Sequence, residues 1–227
     1  MCGRFAIAAP VPELIEAFSL AEGLSGFSAR YNVAPSQLVP VIANREPRRL
    51  AWFRWGLVPG WANDLRIGAK MINARAETVA DKPAFKAALA RRRCLVPASG
   101  FYEWKKTGGA KRPHFIRLKS GRPFALAGLW ELWEKGPEPL FSFTILTTEP
   151  NELVARLHDR MPVILPAEAW PRWLDPAPGD PRALQALLGP YPADQLQAYP
   201  VSSRVDSPAH EGPELIEPAG DSRKTAL

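Results

Sequence analysis

The stretch CLVPASGFYEWKKTGGAKRPHFIRLKSGRPFALAGLWELWEKGPEPLFSFTILT, residues 94–147, decides the fold class. Its apolar runs at 94–97, 101–105, 113–118, 123–131 and 141–147 are short and bounded by turn-forming residues, so each reads as a β-strand. Gly108-Gly109 and Gly121 are hairpin signals. Strands at 38–43 and 49–58 precede this block, the second ended by Pro59-Gly60, and 26–37 reads as irregular chain around a short strand. Val11, Leu14, Ile15 and Phe18 recur at helical spacing and predict an amphipathic helix over 11–20. A second helix is predicted at 82–92, with the basic end Arg91-Arg92-Arg93 read as a solvated face. Leu153, Val154 and Leu157 predict a third over 149–157. A strand at 161–165, short helices at 167–174 and 181–188, and a return to the sheet at 197–203 complete the reading. Strands cluster in the middle instead of alternating with helices, which favours α+β over a regular βαβ fold. One domain over 1–218 is expected, with 219–227 as a disordered tail.

The 227 residues are 46% hydrophobic and 23% charged, enough to bury a core without disulfides or metal. Two cysteines and three histidines show no metal-ligand spacing, and no cofactor is expected. No run is long and apolar enough to cross a membrane, and Met-Cys-Gly-Arg-Phe lacks a signal-peptide pattern. A cytoplasmic monomer is therefore expected, nucleoid-associated when on DNA, with Cys2 reduced. The net charge of +6 favours polyanionic partners, although many basic proteins bind no nucleic acid.

Cys2 follows the initiator Met, and small second residues permit Met removal. The freed residue would carry an α-amine and a thiol on adjacent carbons. The amine has a pKa of roughly 7.7–8.0, and a thiol, at roughly 8.5, falls beside cationic groups. Such a pair condenses with an aldehyde to an imine, and the sulfur then closes a thiazolidine ring intramolecularly. On position alone Cys2 reads as a small apolar residue near the chain end. An N-terminal-nucleophile amidohydrolase would use the same thiol.

Several segments together shift that balance: Met-Cys-Gly-Arg-Phe (1–5), Arg-Tyr-Asn-Val-Ala-Pro-Ser-Gln (30–37), Trp-Gly-Leu-Val-Pro-Gly-Trp-Ala (55–62), Ile-Asn-Ala-Arg-Ala-Glu-Thr (72–78), Arg-Cys-Leu-Val-Pro-Ala-Ser-Gly-Phe-Tyr-Glu-Trp (93–104) and His-Asp-Arg-Met-Pro-Val-Ile-Leu (158–165). In this order they resemble the SOS response-associated peptidase (SRAP) family of abasic-site processing proteins. The resemblance implies a curved, barrel-like, mostly antiparallel sheet flanked by short helices. It implies covalent capture of abasic sites in single-stranded DNA through a thiazolidine on Cys2. Strand incision by β-elimination and a self-releasing peptidase activity are further family associations. It maps the catalytic residues onto Cys2, Asn73, Glu103 and His158. Together with residue chemistry it puts Arg4, Asn32, Trp61, Arg75, Trp104, Thr147 and Arg160 at the DNA surface.

His158 would open the sugar near neutral pH, at a helix end where a positive ring is favoured. Glu103 would shuttle protons if Phe101, Tyr102 and Trp104 bury it and raise its pKa. Each residue also has an ordinary reading. Glu103 could be an exposed strand residue paired with Lys105 or Lys106, His158 a helix cap, Asn73 a turn residue, and Arg75 and Arg160 solvated charges. Glu149 and Pro83 depart from the family pattern and put local DNA contacts in doubt. Cys94 and Trp55, Trp130, Trp133, Trp170 and Trp173 read as packing residues, and His114 and His210 receive no role. Besides the amidohydrolase, a non-covalent single-strand binding module is the other alternative.

Overall fold

The computed structural model describes residues 2–220. Its strands are β1 (Phe5–Ile7), β2 (Arg30–Val33), β3 (Leu38–Ala43), β4 (Leu50–Trp55), β5 (Asn73–Arg75), β6 (Arg93–Ala98), β7 (Gly100–Thr107), β8 (Ala110–Leu118), β9 (Phe124–Trp133), β10 (Leu140–Thr148), β11 (Met161–Pro162), β12 (Ile164–Leu165) and β13 (Leu196–Pro200). The α-helices are α1 (Val11–Phe18), α2 (Pro83–Arg91), α3 (Trp170–Trp173) and α4 (Pro181–Gln185).

Five strands close a barrel. β3 pairs antiparallel with β4 and β6, β6 with β9, and β9 with β10. β10 returns to β4 in parallel, Ser142 opposite Arg54 and Phe143 opposite Trp55, which completes the ring. Closure removes the exposed edges that an open sheet of this composition would present. A second sheet, in the order β13-β8-β7-β1-β2, is antiparallel throughout. Phe5 of β1 meets Trp55 edge-on at 5.1 Å, and Trp55 stacks on Phe143 at 6.3 Å. This aromatic line fastens the start of the chain to the barrel core, where all three side chains are fully buried.

β10 outruns the barrel. Its far half pairs in parallel with β5, Ile145 opposite Asn73 and Thr147 opposite Arg75, and on its other side with β11. The α+β class and the curved, mostly antiparallel barrel expected from the resemblance are both present, and the helices are short.

Some local expectations fail for physical reasons. The helix expected over 149–157 shrinks to a 3-10 turn at Val154–Arg156. Pro150 lacks a backbone donor, and the Asn151 side chain accepts from Val154 N–H at 2.9 Å, so the turn starts late. The strand at 161–165 is two short pieces that pair with different partners. α1 stops at Phe18, because Ser19 turns left-handed at φ 50°. β1 and β5, three residues each, were not anticipated. Ala219 N–H bonds Pro200 carbonyl at 2.8 Å, and the rest of the expected tail, 221–227, lies outside the described residues.

Arg93 corrects the reading of the basic run. It is fully buried. Its Nε donates to Trp173 carbonyl at 2.8 Å, Nη1 to Leu89 and Ala90 carbonyls at 3.1 and 2.6 Å, and Nη2 to Asp175 and Ala177 carbonyls. The guanidinium thus caps the C-terminal end of α2 from inside the fold. Arg92 pairs with Glu131 at 2.5 Å. Arg93→Ala should cost about 3 kcal/mol or more, since several carbonyls lose a charged donor at once. The urea midpoint at unchanged slope reads this, and a loss below about 1 kcal/mol would contradict the assignment.

Candidate active site

The β1–β7 pairing carries the chain start past a buried carboxylate. Phe5 faces Phe101, and Tyr102 N–H donates to Arg4 carbonyl at 3.0 Å. Glu103 stands two residues beyond Phe101 on β7, near enough to Cys2 for its charge to act on the thiol. Asn73, delivered from the opposite side by β5, donates through Nδ2 to the Cys2 carbonyl at 2.8 Å. Its Oδ1 is buried and accepts no hydrogen bond. Asn73 therefore sits in a strand, not a turn, and holds the backbone of the second residue.

Cys2 is fully buried, and its thiol lies 3.9 Å from Arg4 carbonyl. Burial, and then the charge of nearby Glu103, push the thiol well above its ordinary range. The positive chain terminus pulls the other way without offsetting burial, and the Arg4 guanidinium is directed to Asn32 Oδ1 at 2.7 Å and Val205 carbonyl at 2.8 Å.

Glu103 is 2% exposed, which removes its ordinary reading as a surface partner of Lys105 or Lys106. Burial raises its pKa to about 7, against an opposing pull from the positive chain terminus. His158 lies with Glu103, Trp104 and Asp206 in the lining of an open cleft of about 400 Å³. Its Nδ1 accepts from Arg160 N–H at 3.0 Å and lies 2.7 Å from Asp159 Oδ1. One nitrogen cannot serve both partners in a single protonation state. Burial and the positive chain terminus move the ring below its ordinary pKa, which favours the neutral form with Nδ1 as acceptor. The expected positive imidazole at a helix end is thereby corrected. The preceding turn is a single 3-10 turn, not a helix.

The residues expected at a DNA surface divide into two groups. Trp61 is 59% exposed on the loop after Gly60, and Arg75 is exposed on β5. Trp104 is half-buried, lines the cleft, and donates from Nε1 to Asp206 at 2.6 Å. The others are engaged within the protein. Asn32 is fully buried and donates to Ser207 and His210 carbonyls at 3.0 and 2.9 Å, which ties the 205–210 segment to Arg4. Thr147 is buried, and its carbonyl accepts from Arg160 at 2.6 Å. Arg160 is not a solvated charge. It grips both oxygens of Glu77 at 2.8 and 2.9 Å, and this holds the Glu77 carboxyl below its usual range. Pro83 occupies the first turn of α2, where its missing donor costs nothing, and Glu149 is exposed beside Thr148. Cys94, Trp55 and Trp173 are fully buried.

Known proteins fit this arrangement. A family model described as SOS response associated peptidase (SRAP) matches residues 1–208. The chain belongs to that family. "Abasic site processing protein YoqW" of Bacillus subtilis (strain 168) is 50% identical over 223 residues, covering 96% of this chain and 99% of that one. "Abasic site processing protein HMCES" of Gallus gallus is 34% identical over 222 residues, covering 83% of this chain and 66% of its own length. A crystal structure of a protein from Bacteroides thetaiotaomicron superposes with a TM-score of 0.87 at 27% identity, over 96% of this chain and all of that one.

Sequence reasoning missed Glu77 and Asp206. Glu77 stood inside a quoted motif, yet its partner Arg160 is 83 residues away. Asp206 lies outside the quoted motifs, and only the fold brings it to Trp104 and Arg4. Among the described residues, no cluster of His, Cys, Asp and Glu is placed to hold a metal.

The raised Glu103 pKa has a stability consequence with a definite sign. The folded value, about 7, lies above the ordinary 4.5, so its contribution is fully present below pH 4.5 and is lost as pH rises through 7. Glu103→Gln should remove this slope and leave the variant more stable than the parent at pH 8, by on the order of 3 kcal/mol. Denaturant titrations at pH 5 and pH 8 measure it. A parent and variant with parallel pH dependence would contradict the burial argument.

Proposed function

We propose that the protein captures abasic sites in single-stranded DNA by joining them covalently to Cys2 after removal of Met1. The observation that carries this reading is the Asn73 bond to the Cys2 carbonyl, which holds the second residue beside buried Glu103. Capture by an aminothiol needs the second residue held in place near proton-transfer groups, and this bond supplies the hold.

The steps follow from the groups present. His158 moves a proton at the sugar ring oxygen and opens the hemiacetal to the aldehyde. The α-amine attacks the aldehyde carbon, and Glu103 accepts a proton from nitrogen and returns one to the departing hydroxyl, releasing water. The Asn73 Oδ1 is an available acceptor for an N–H of that amine. The iminium so formed places positive charge next to the thiol, and it eases release of the thiol proton to Glu103. Sulfur then bonds the former aldehyde carbon, nitrogen keeps its proton, and the ring closes. If β-elimination outruns closure at the imine stage, the strand is cut, so incision is a side route of the same intermediate. Trp61, Trp104 and Arg75 supply stacking and charge to the flanking strand, while Asn32, Thr147 and Arg160 act from within by positioning Arg4 and the β5 edge. Escape of the protein from its adduct, by reversal or by the peptidase activity in the family description, belongs to the same proposal.

An oligonucleotide with one abasic site should give a band shift that survives denaturant, with Met1 absent from the reacted protein. Cys2→Ala should abolish the thiazolidine, and Glu103→Gln should slow the adduct roughly 100-fold. His158→Ala should slow reaction with the closed sugar more than with a pre-opened aldehyde. Adduct formation by protein that retains Met1 would refute the mechanism. Turnover of a small amide without DNA would point to the amidohydrolase, and salt-sensitive binding with no adduct to a simple binding module.

A further inference from the structure

The β7–β8 hairpin carries a charge pattern that folding does not explain. β1 accompanies β7 only as far as Phe101 and Tyr102, and β13 leaves β8 at His114. Residues 105–112 therefore extend as a two-stranded ribbon without neighbouring strands. Such ribbons are marginal by themselves. This one places Lys105 opposite Arg112 and Lys106 opposite Lys111, two successive like-charge pairs. Like charges directly opposed across an antiparallel pair destabilise it. All four side chains are exposed, and among the described residues none forms a salt bridge. Of the carboxylates nearby, Asp206 accepts from Trp104, and Asp159 is exposed beside His158.

The ribbon also has a definite address. Lys106 and Lys111 line the same cleft as Glu103, Trp104 and His158. Lys105 and Lys106 line a neighbouring cleft of about 480 Å³ with His158 and Asp159. Gly108 and Gly109, at φ 56° and 87°, make the tight turn that brings the two strands' cations together at the tip.

We infer that this ribbon is a phosphate clamp. Lys106 and Lys111 hold a backbone phosphate of the single-stranded DNA beside the captured sugar, and Lys105 and Arg112 hold the strand further out. The anion relieves the repulsion that the free hairpin bears, and the clamp presses the strand toward Trp104. This inference deepens the capture reading and rests on it for the position of the sugar.

The test uses full-length Lys106→Gln/Lys111→Gln protein. Its binding to an undamaged oligothymidylate should weaken roughly tenfold at low salt, with a salt dependence shallower by about 0.7 for each phosphate that is no longer neutralised. Its melting temperature should equal or exceed the parent's, because repulsion has been removed. In crosslinking to an abasic oligonucleotide, the variant should lag the parent on a natural backbone. The two should converge when the linkages flanking the lesion are neutral methylphosphonates. Unchanged affinity and salt slope would overturn the clamp, as would an equal lag on neutral linkages or a lowered melting temperature. If the parent forms no adduct, the capture reading fails, while the oligothymidylate titration still judges the ribbon.

Discussion

One hydrogen bond organises the functional end of this molecule: Asn73 Nδ2 to the carbonyl of Cys2, at 2.8 Å. Chain ends fray unless something holds them. Here the second residue is held on one side by β1 pairing and on the other by β5. β5 in turn exists because β10 runs past the barrel and offers its far half as a template. Barrel closure, the length of β10 and the placement of a terminal residue are thus successive links of one chain of causes.

The electrostatics favour proton transfer over a preformed nucleophile. Burial raises Glu103 to about 7 and lifts the Cys2 thiol further, while it lowers His158. All three groups are biased toward their neutral forms. A site of this kind is quiet until a reacting partner brings charge, which suits the capture proposed above. Around this core, Arg4, Asn32, Arg160 and Glu77 form ion and amide networks that fix loops.

Much of the fold was legible in the sequence because the main strands are apolar runs bounded by clear turn residues. β3, β7, β8, β9 and β10 fall close to their expected ranges. β1 and β5 were invisible because three residues carry no periodicity, and both exist only through their partners. The barrel came from the family resemblance; nothing in local pattern dictates that β10 pairs in parallel with β4. For the site, the motif residues Cys2, Asn73, Glu103 and Trp104 do gather, and His158 joins them at the cleft. What the sequence hid was exposure: Asn32, Thr147 and Arg160 look like surface groups on paper and are engaged inside. Arg93 is the clearest case, since a run of three arginines reads as solvated, yet the third points inward to cap a helix.

The most direct test of the account maps the bond itself. The reacted protein would be digested and the crosslinked peptide sequenced by mass spectrometry after treatment with a thiol alkylator. The account predicts a peptide beginning at Cys2, carrying the sugar with the loss of one water and a sulfur that resists alkylation. A crosslink on a lysine, a retained Met1, or a sulfur that still alkylates would contradict it.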